Sequence, residues 1–142
     1  MLQQIFGTLF AFLAVGTPPA STNTDEQQIR EVITNFAAYG DQQNVTAMDA
    51  ILDPGYRAVL NRLFGSKEVN FLDKAAYLQM LRDKKLGGDQ RQVTIHSVDI
   101  TNNNAVVKAE FAGQKMTLIT FMLLTKTEAG DWKIVVDMPM MK

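Results

Sequence analysis

The chain has 142 residues, room for one domain, and its 46% apolar and 20% charged content belongs to a folded protein rather than a disordered one. With 14 basic against 15 acidic residues the formal net charge is −1, without the Lys/Arg surplus that nucleic-acid binding draws on. The absence of cysteine excludes disulfides, thiolate zinc sites, iron–sulfur clusters and a cysteine nucleophile, and a single histidine leaves little to hold a metal, so no metal or cofactor is expected.

No charged side chain precedes Asp25, and residues 5–15 (IFGTLFAFLAV) form an 11-residue apolar run. A membrane span needs about 20 such residues, so the run is too short to cross. It suits the apolar region of an export signal, with Ala14 and Gly16 as the small residues before one cut and a second possible cut after Ala20. Residues 1–20 therefore read as a signal and 21–142 as one domain, placing the protein in the periplasm or outside the cell. The alternative is an N-terminal helix packed on the body of a cytoplasmic protein.

Thr24 and Gln27 have the spacing of a capping box, followed by an apolar stripe of Ile29, Val32, Ile33, Phe36 and Ala37 that predicts a helix ending at Gly40-Asp41. A short second helix carries Met48, Ile51 and Leu52, with Pro54-Gly55 as its stop. A strand over Tyr56–Leu63 turns at Phe64-Gly65-Ser66-Lys67 and pairs back through Glu68–Phe71. The third helix begins at Asp73, with Leu72 and Tyr77 placed as a hydrophobic staple, and is expected to run to Lys84-Lys85 with Gly87-Gly88 as its stop. Four strands follow: Gln92–Ile100, Ala105–Phe111, Lys115–Thr127 and Trp132–Met140. Helices grouped before a run of strands make an α+β domain.

Ala105, Val107, Ala109 and Phe111 alternate with polar residues, as a half-exposed strand requires. The next strand is apolar on both faces, with Met116, Leu118, Met122 and Leu124 on one and Ile119, Phe121 and Leu123 on the other. Three helices cover one face only, so an isologous homodimer through the outer sheet face is expected.

The runs ILDPGYRAVLN, LDKAAYLQMLRDKKLGG, QVTIHSVDITNNNAVVKAEF and FMLLTKTEAGDWKIVVDM resemble the nuclear transport factor 2-like superfamily, nearest its lumazine-binding and SnoaL-like (polyketide-cyclase-like) branches. The resemblance spans about Asp25 to Met140. It implies a curved antiparallel sheet wrapped around three helices, a cone with an apolar pocket, and homodimers. It implies no single activity, because members include isomerases, dehydratases, cyclases and non-catalytic binding domains.

Ketosteroid-isomerase-like relatives use a carboxylate in an apolar cone with a tyrosine donor. Here the carboxylate candidates are Asp137 and Asp99 on strands and Asp53 before the first strand; Asp137 falls opposite in phase to Trp132, Ile134 and Val136. For Asp137 the plainer reading is an edge cap or a lysine partner on the outer face, and for Asp53 helix termination suffices. His96, on the face of Thr94 and Val98, is a further base candidate, although strand histidines more often pack or face water. Phe36, Tyr39, Tyr56, Tyr77 and Asp137 form the candidate ligand-binding set. Arg57 and Arg62 suit an anionic ligand, but a solvated strand face is the plainer reading of them.

The expected function is exported, non-catalytic binding of a small apolar or planar molecule by a homodimer. The alternative is a metal-independent isomerase, dehydratase or cyclase using an Asp with a Tyr donor. A third reading is an interaction module whose cone is filled by its own side chains.

Overall fold

The computed structural model describes residues 23–142. The export-signal reading of residues 1–20 lies outside the described residues.

Helix α1 spans Asp25–Asp41 and opens with both halves of the Thr24–Gln27 capping box. Its stripe of Ile29, Ile33, Phe36 and Ala37 is buried against the sheet. Helix α2 is Val45–Ile51, capped by the Asn44 side chain. Its end differs from expectation. Strand β1 (Leu52–Asn61) starts at once, and Pro54-Gly55 lies inside it rather than stopping a helix. That placement is possible because the ladder to the last strand breaks between Leu52 and Arg57, where a residue without an N–H costs no hydrogen bond. Asp53 closes this irregular turn by accepting the Gly55 N–H at 2.8 Å, a local framework role.

Strand β2 (Val69–Asp73) pairs antiparallel with β1, and Asp73 caps α3 (Lys74–Arg82) through the Ala76 N–H. Leu72 and Tyr77 both pack onto the core, as a staple would. Helix α3 stops earlier than its lysines suggested. Lys84 itself takes the left-handed turn (φ +58°), and the N–H groups of Lys85 and Leu86 close on the Met80 carbonyl. Gly87 and Gly88 instead allow close approach to α1: the Gly88 N–H donates to the Gly40 carbonyl, and a Cβ on Gly87 would lie 2.0 Å from that oxygen.

Strands β3 (Gln92–Thr101), β4 (Asn104–Ala112), β5 (Thr117–Lys126) and β6 (Trp132–Met141) form an antiparallel meander. The six-stranded sheet has the order β2-β1-β6-β5-β4-β3. It is antiparallel except where β6 returns beside β1, a parallel pair that the hairpin-and-meander reading does not contain.

Ala105, Val107, Ala109 and Phe111 are all buried, with Met122, Leu124, Trp132 and Ile134 beside them on the inner face. On the outer face Val106, Leu123 and Met140 are exposed, and Leu123 sits between Val106 and Val136 in the ladders.

Two bulges reassign faces that strict alternation gets wrong. In β3 the register shifts between Ile95 and Ser97, so Val93, Ile95, Val98 and Ile100 all pack inward while His96 and Asp99 stay outside. In β6 the pairs Leu123–Val136 and Leu124–Ile134 skip Val135. Val136 therefore leaves the face of Trp132 and Ile134, and Asp137 takes its place there.

Candidate functional site

The β6 bulge turns Asp137 inward, where it is 6% exposed and stands opposite Met122 in the β5–β6 ladder. Its carboxylate accepts a hydrogen bond from the Thr120 hydroxyl on β5. Burial raises the Asp137 pKa to about 6, against the opposing pull of Thr120 and the more distant Arg91 charge. An outer-face lysine partner or an edge cap is ruled out for this residue by its position.

Beside Asp137 lies a cavity of about 390 Å³. Its walls are mostly apolar, with Phe36 from α1, Ala58 and Leu60 from β1, Met80 from α3, and Phe111 and Leu118 from the meander. Thr120, Asp137 and Tyr77 supply polar groups, and Arg91 reaches it from the loop before β3. A cavity of this size means that the cone is not filled by its own side chains. An apolar cleft with a few convergent polar groups is the usual form of a small-molecule site.

Phe36 and Tyr77 both line the cavity, their rings 6.1 Å apart. Tyr77 meets Tyr56 edge-on at 5.3 Å. Tyr56 is one layer deeper: it is 1% exposed, does not reach the cavity, and its hydroxyl has no hydrogen-bond partner among the described residues. Burial pushes the Tyr56 and Tyr77 phenols up, and the nearby Asp137 charge pushes them further. Both are therefore neutral hydroxyls throughout the physiological range. Tyr39 packs against the core but does not line the cavity.

Asp99 and His96 are not brought to this site. Asp99 is exposed and pairs across to Val106 on the outer face. His96 is 3.3 Å from Glu110, whose carboxyl is held below its ordinary value by Lys142 first and His96 second. Arg57 is solvated beside buried Tyr56 and Ala58.

Several cavity residues escaped the sequence reading. Thr120 had a signal, as the one polar member of the series Leu118, Thr120, Met122 and Leu124. Arg91 and Asp89 had none, because the loop before β3 brings them there.

Phe64 lines the cavity yet is 63% exposed, and it occupies the left-handed region at φ +55°, uncommon for a bulky residue. Phe64→Gly is expected to leave thermal stability unchanged or raise it by up to about 1 kcal/mol while weakening occupancy of the cavity. Parallel melting and dye titration check this; a clear drop in melting temperature would assign Phe64 to the fold instead.

The helix-covered six-stranded sheet with a cavity at one end defines the nuclear transport factor 2-like class. Residues 24–138 match the family described as "Putative lumazine-binding", and the chain belongs to that family. No curated protein matches the chain. Among solved structures it is similar to an NTF2-like protein of unknown function from Shewanella baltica OS155, at 16% identity over 85% of this chain and 98% of that one, with a TM-score of 0.71. One from Silicibacter pomeroyi DSS-3 is 17% identical over 81% and 93%, with a TM-score of 0.70. A cystatin-like domain of unknown function from Nostoc punctiforme PCC 73102 is 15% identical over 86% and 80%, at 0.67. At these identities the likeness is one of fold.

Proposed function

We propose that this domain binds a small, mainly apolar or planar molecule in the cavity without transforming it, as an exported homodimer. The observation that carries the binding reading is an apolar cavity of about 390 Å³ with a buried carboxylate at its polar end. The family description points to the same kind of ligand. Export is supported by the apolar run and small residues of positions 5–20. The homodimer is supported by the apolar outer face, where Val106, Leu123 and Met140 are exposed.

A second reading rests on one feature. A carboxyl titrating near 6 in an apolar site, with Tyr77 lining the same cavity, suits proton transfer next to a carbonyl. In an enzyme of that kind Asp137 takes the proton and Tyr77 donates to the developing oxyanion.

Native mass spectrometry of the full-length gene product from its own host tests the first reading. The expected spectrum is a dimer beginning after Gly16 or Ala20 with a discrete bound mass. A monomer sinks the dimer, an intact Met1 sinks export, and an unladen protein that also fails to bind an apolar fluorescent dye sinks the binding function. Turnover of any ligand so identified, lost in Asp137→Asn with the fold intact, would decide for the enzyme.

A further inference from the structure

The charged side chains that line the cavity are sorted by depth. Asp137 lies at the buried floor, whereas Lys85 and Lys115 are exposed and mark the rim. Two further charges line the cavity, the mostly buried Arg91 and the half-buried Asp89, and both are already engaged. Arg91 donates to Asp41 at 2.7 Å and to the Ala37 carbonyl at 2.8 Å. Asp89 accepts the backbone N–H groups of Gln90 at 2.7 Å, Gln114 at 3.1 Å and Lys115 at 3.4 Å. These donors hold its carboxyl below the ordinary range, with a smaller pull from the Lys115 charge. Neither the Lys85 nor the Lys115 ammonium makes a hydrogen bond or ion pair among the described residues.

The two lysines are carried on backbone that is fixed in place. Asp89 ties the segment after α3 to the β4–β5 turn, and it docks so closely on Gly113 that a Cβ there would lie 2.2 Å from the Asp89 Oδ2. Gln43 holds the Leu86 carbonyl at 3.0 Å, and Gly87-Gly88 rests against Gly40. The rim is therefore assembled before any ligand arrives.

We infer that the cavity selects amphiphilic anions, molecules with an apolar body and one carboxylate-type head group, seated with the body over Phe36, Phe111 and Leu118 and the head at the rim between Lys85 and Lys115. The inference rests on the cavity being a ligand site. Orientation follows from charge: an anionic head at the floor would meet Asp137 with little water to screen the repulsion, the Arg91 charge there being already paired with Asp41, and at the rim it meets two ammonium groups against the single carboxylate of Asp89. A cationic amphiphile meets the reverse arrangement and has to bring its head to the floor through an apolar channel.

Competition of decanoate, decanol and decylamine against a bound apolar fluorescent dye tests this at neutral pH and low salt. Decanoate is expected to displace the dye about tenfold more tightly than decanol, the sum of two exposed ion pairs, with the advantage shrinking as salt rises. Lys85→Glu/Lys115→Glu is expected to abolish that advantage while leaving decanol affinity in place; Lys85→Met/Lys115→Met should do the same without added negative charge. Equal affinity for decanoate and decanol, or preference for decylamine, overturns the inference and leaves the binding function standing. A bound dye that none of the three displaces likewise overturns the inference alone, whereas failure of the dye itself to bind takes both down.

Discussion

Asp137→Asn is expected to stabilise the protein at neutral pH, by about 1–3 kcal/mol. The Asp137 carboxyl is 6% exposed, and burial raises its pKa from the usual 3.8 to about 6. A raised acid pKa means that the native state holds a proton which the unfolded chain has released. Between pH 3.8 and about 6 the native state thus binds more protons than the unfolded one, so stability falls as pH climbs through that window. Above it the whole cost of a buried carboxylate stands, at most about 3 kcal/mol for a shift of this size. Asparagine keeps an oxygen to accept the Thr120 hydroxyl and carries no charge, which removes the cost. The difference between variant and wild type should be near zero below pH 3.8, grow to about pH 6, and stay flat beyond. Urea unfolding of both proteins across that range measures it; parallel curves would show that Asp137 titrates like an exposed acid. Other acids do not confuse the comparison. Asp25, Asp89 and Glu110 have lowered values, so whatever stability they add is lost as pH falls, but they do so equally in both proteins. A side chain whose ionised form weakens the fold is what the proposed binding site requires of Asp137.

What the sequence made legible divides along physical lines. The capping box, the apolar stripe of α1, the Asp73 cap and the four meander strands all follow from interactions within a few residues, and each stands where local chemistry puts it. Period-two alternation also named the buried face of β4 correctly. It failed at the two bulges. One extra residue near His96 sends Asp99 outside, and the skipped Val135 turns Asp137 inside, although alternation alone suggests the opposite sides. Pro54 within β1 and the glycine pair after α3 misled in a similar way. Their use is set by the register against β6 and by the Gly40 carbonyl, both far away in sequence. Phe36 and Tyr77, carried on helices that local chemistry places, line the cavity; Asp137 reaches it only through the bulge, and the loop-borne Arg91, Lys85, Lys115 and Asp89 depended on contacts that no spacing encodes.

Arg91→Ala should cost about 2–4 kcal/mol, a large share of the stability of a domain this size. Helix α1 ends on Asp41 with no basic residue in its last turn, so an acid sits where the helix dipole is already negative. Arg91 supplies the missing cation from the loop before β3. Its Nε donates to Asp41 Oδ1 at 2.7 Å, its backbone N–H donates to Oδ2 at 2.9 Å, and Nη2 reaches the Ala37 carbonyl at 2.8 Å. The guanidinium also lies 5.3 Å from the centre of the Phe111 ring. A Cβ on Gly40 would come within 2.5 Å of Nη2, so the bare backbone there makes room for the pair. The Arg91 and Asp41 side chains are only 16% and 15% exposed, and removing either strands the other's charge with little water to solvate it. Arg91→Ala/Asp41→Asn should therefore lose less than the two single changes summed, with a coupling of about 1–3 kcal/mol. Additive losses in urea unfolding would mean that the pair is solvated and merely adjacent. Because the same loop carries Lys85 and Asp89 to the cavity rim, Arg91→Ala should also weaken ligand binding in the protein that remains folded, whereas a loss confined to global stability would separate the anchor from the site.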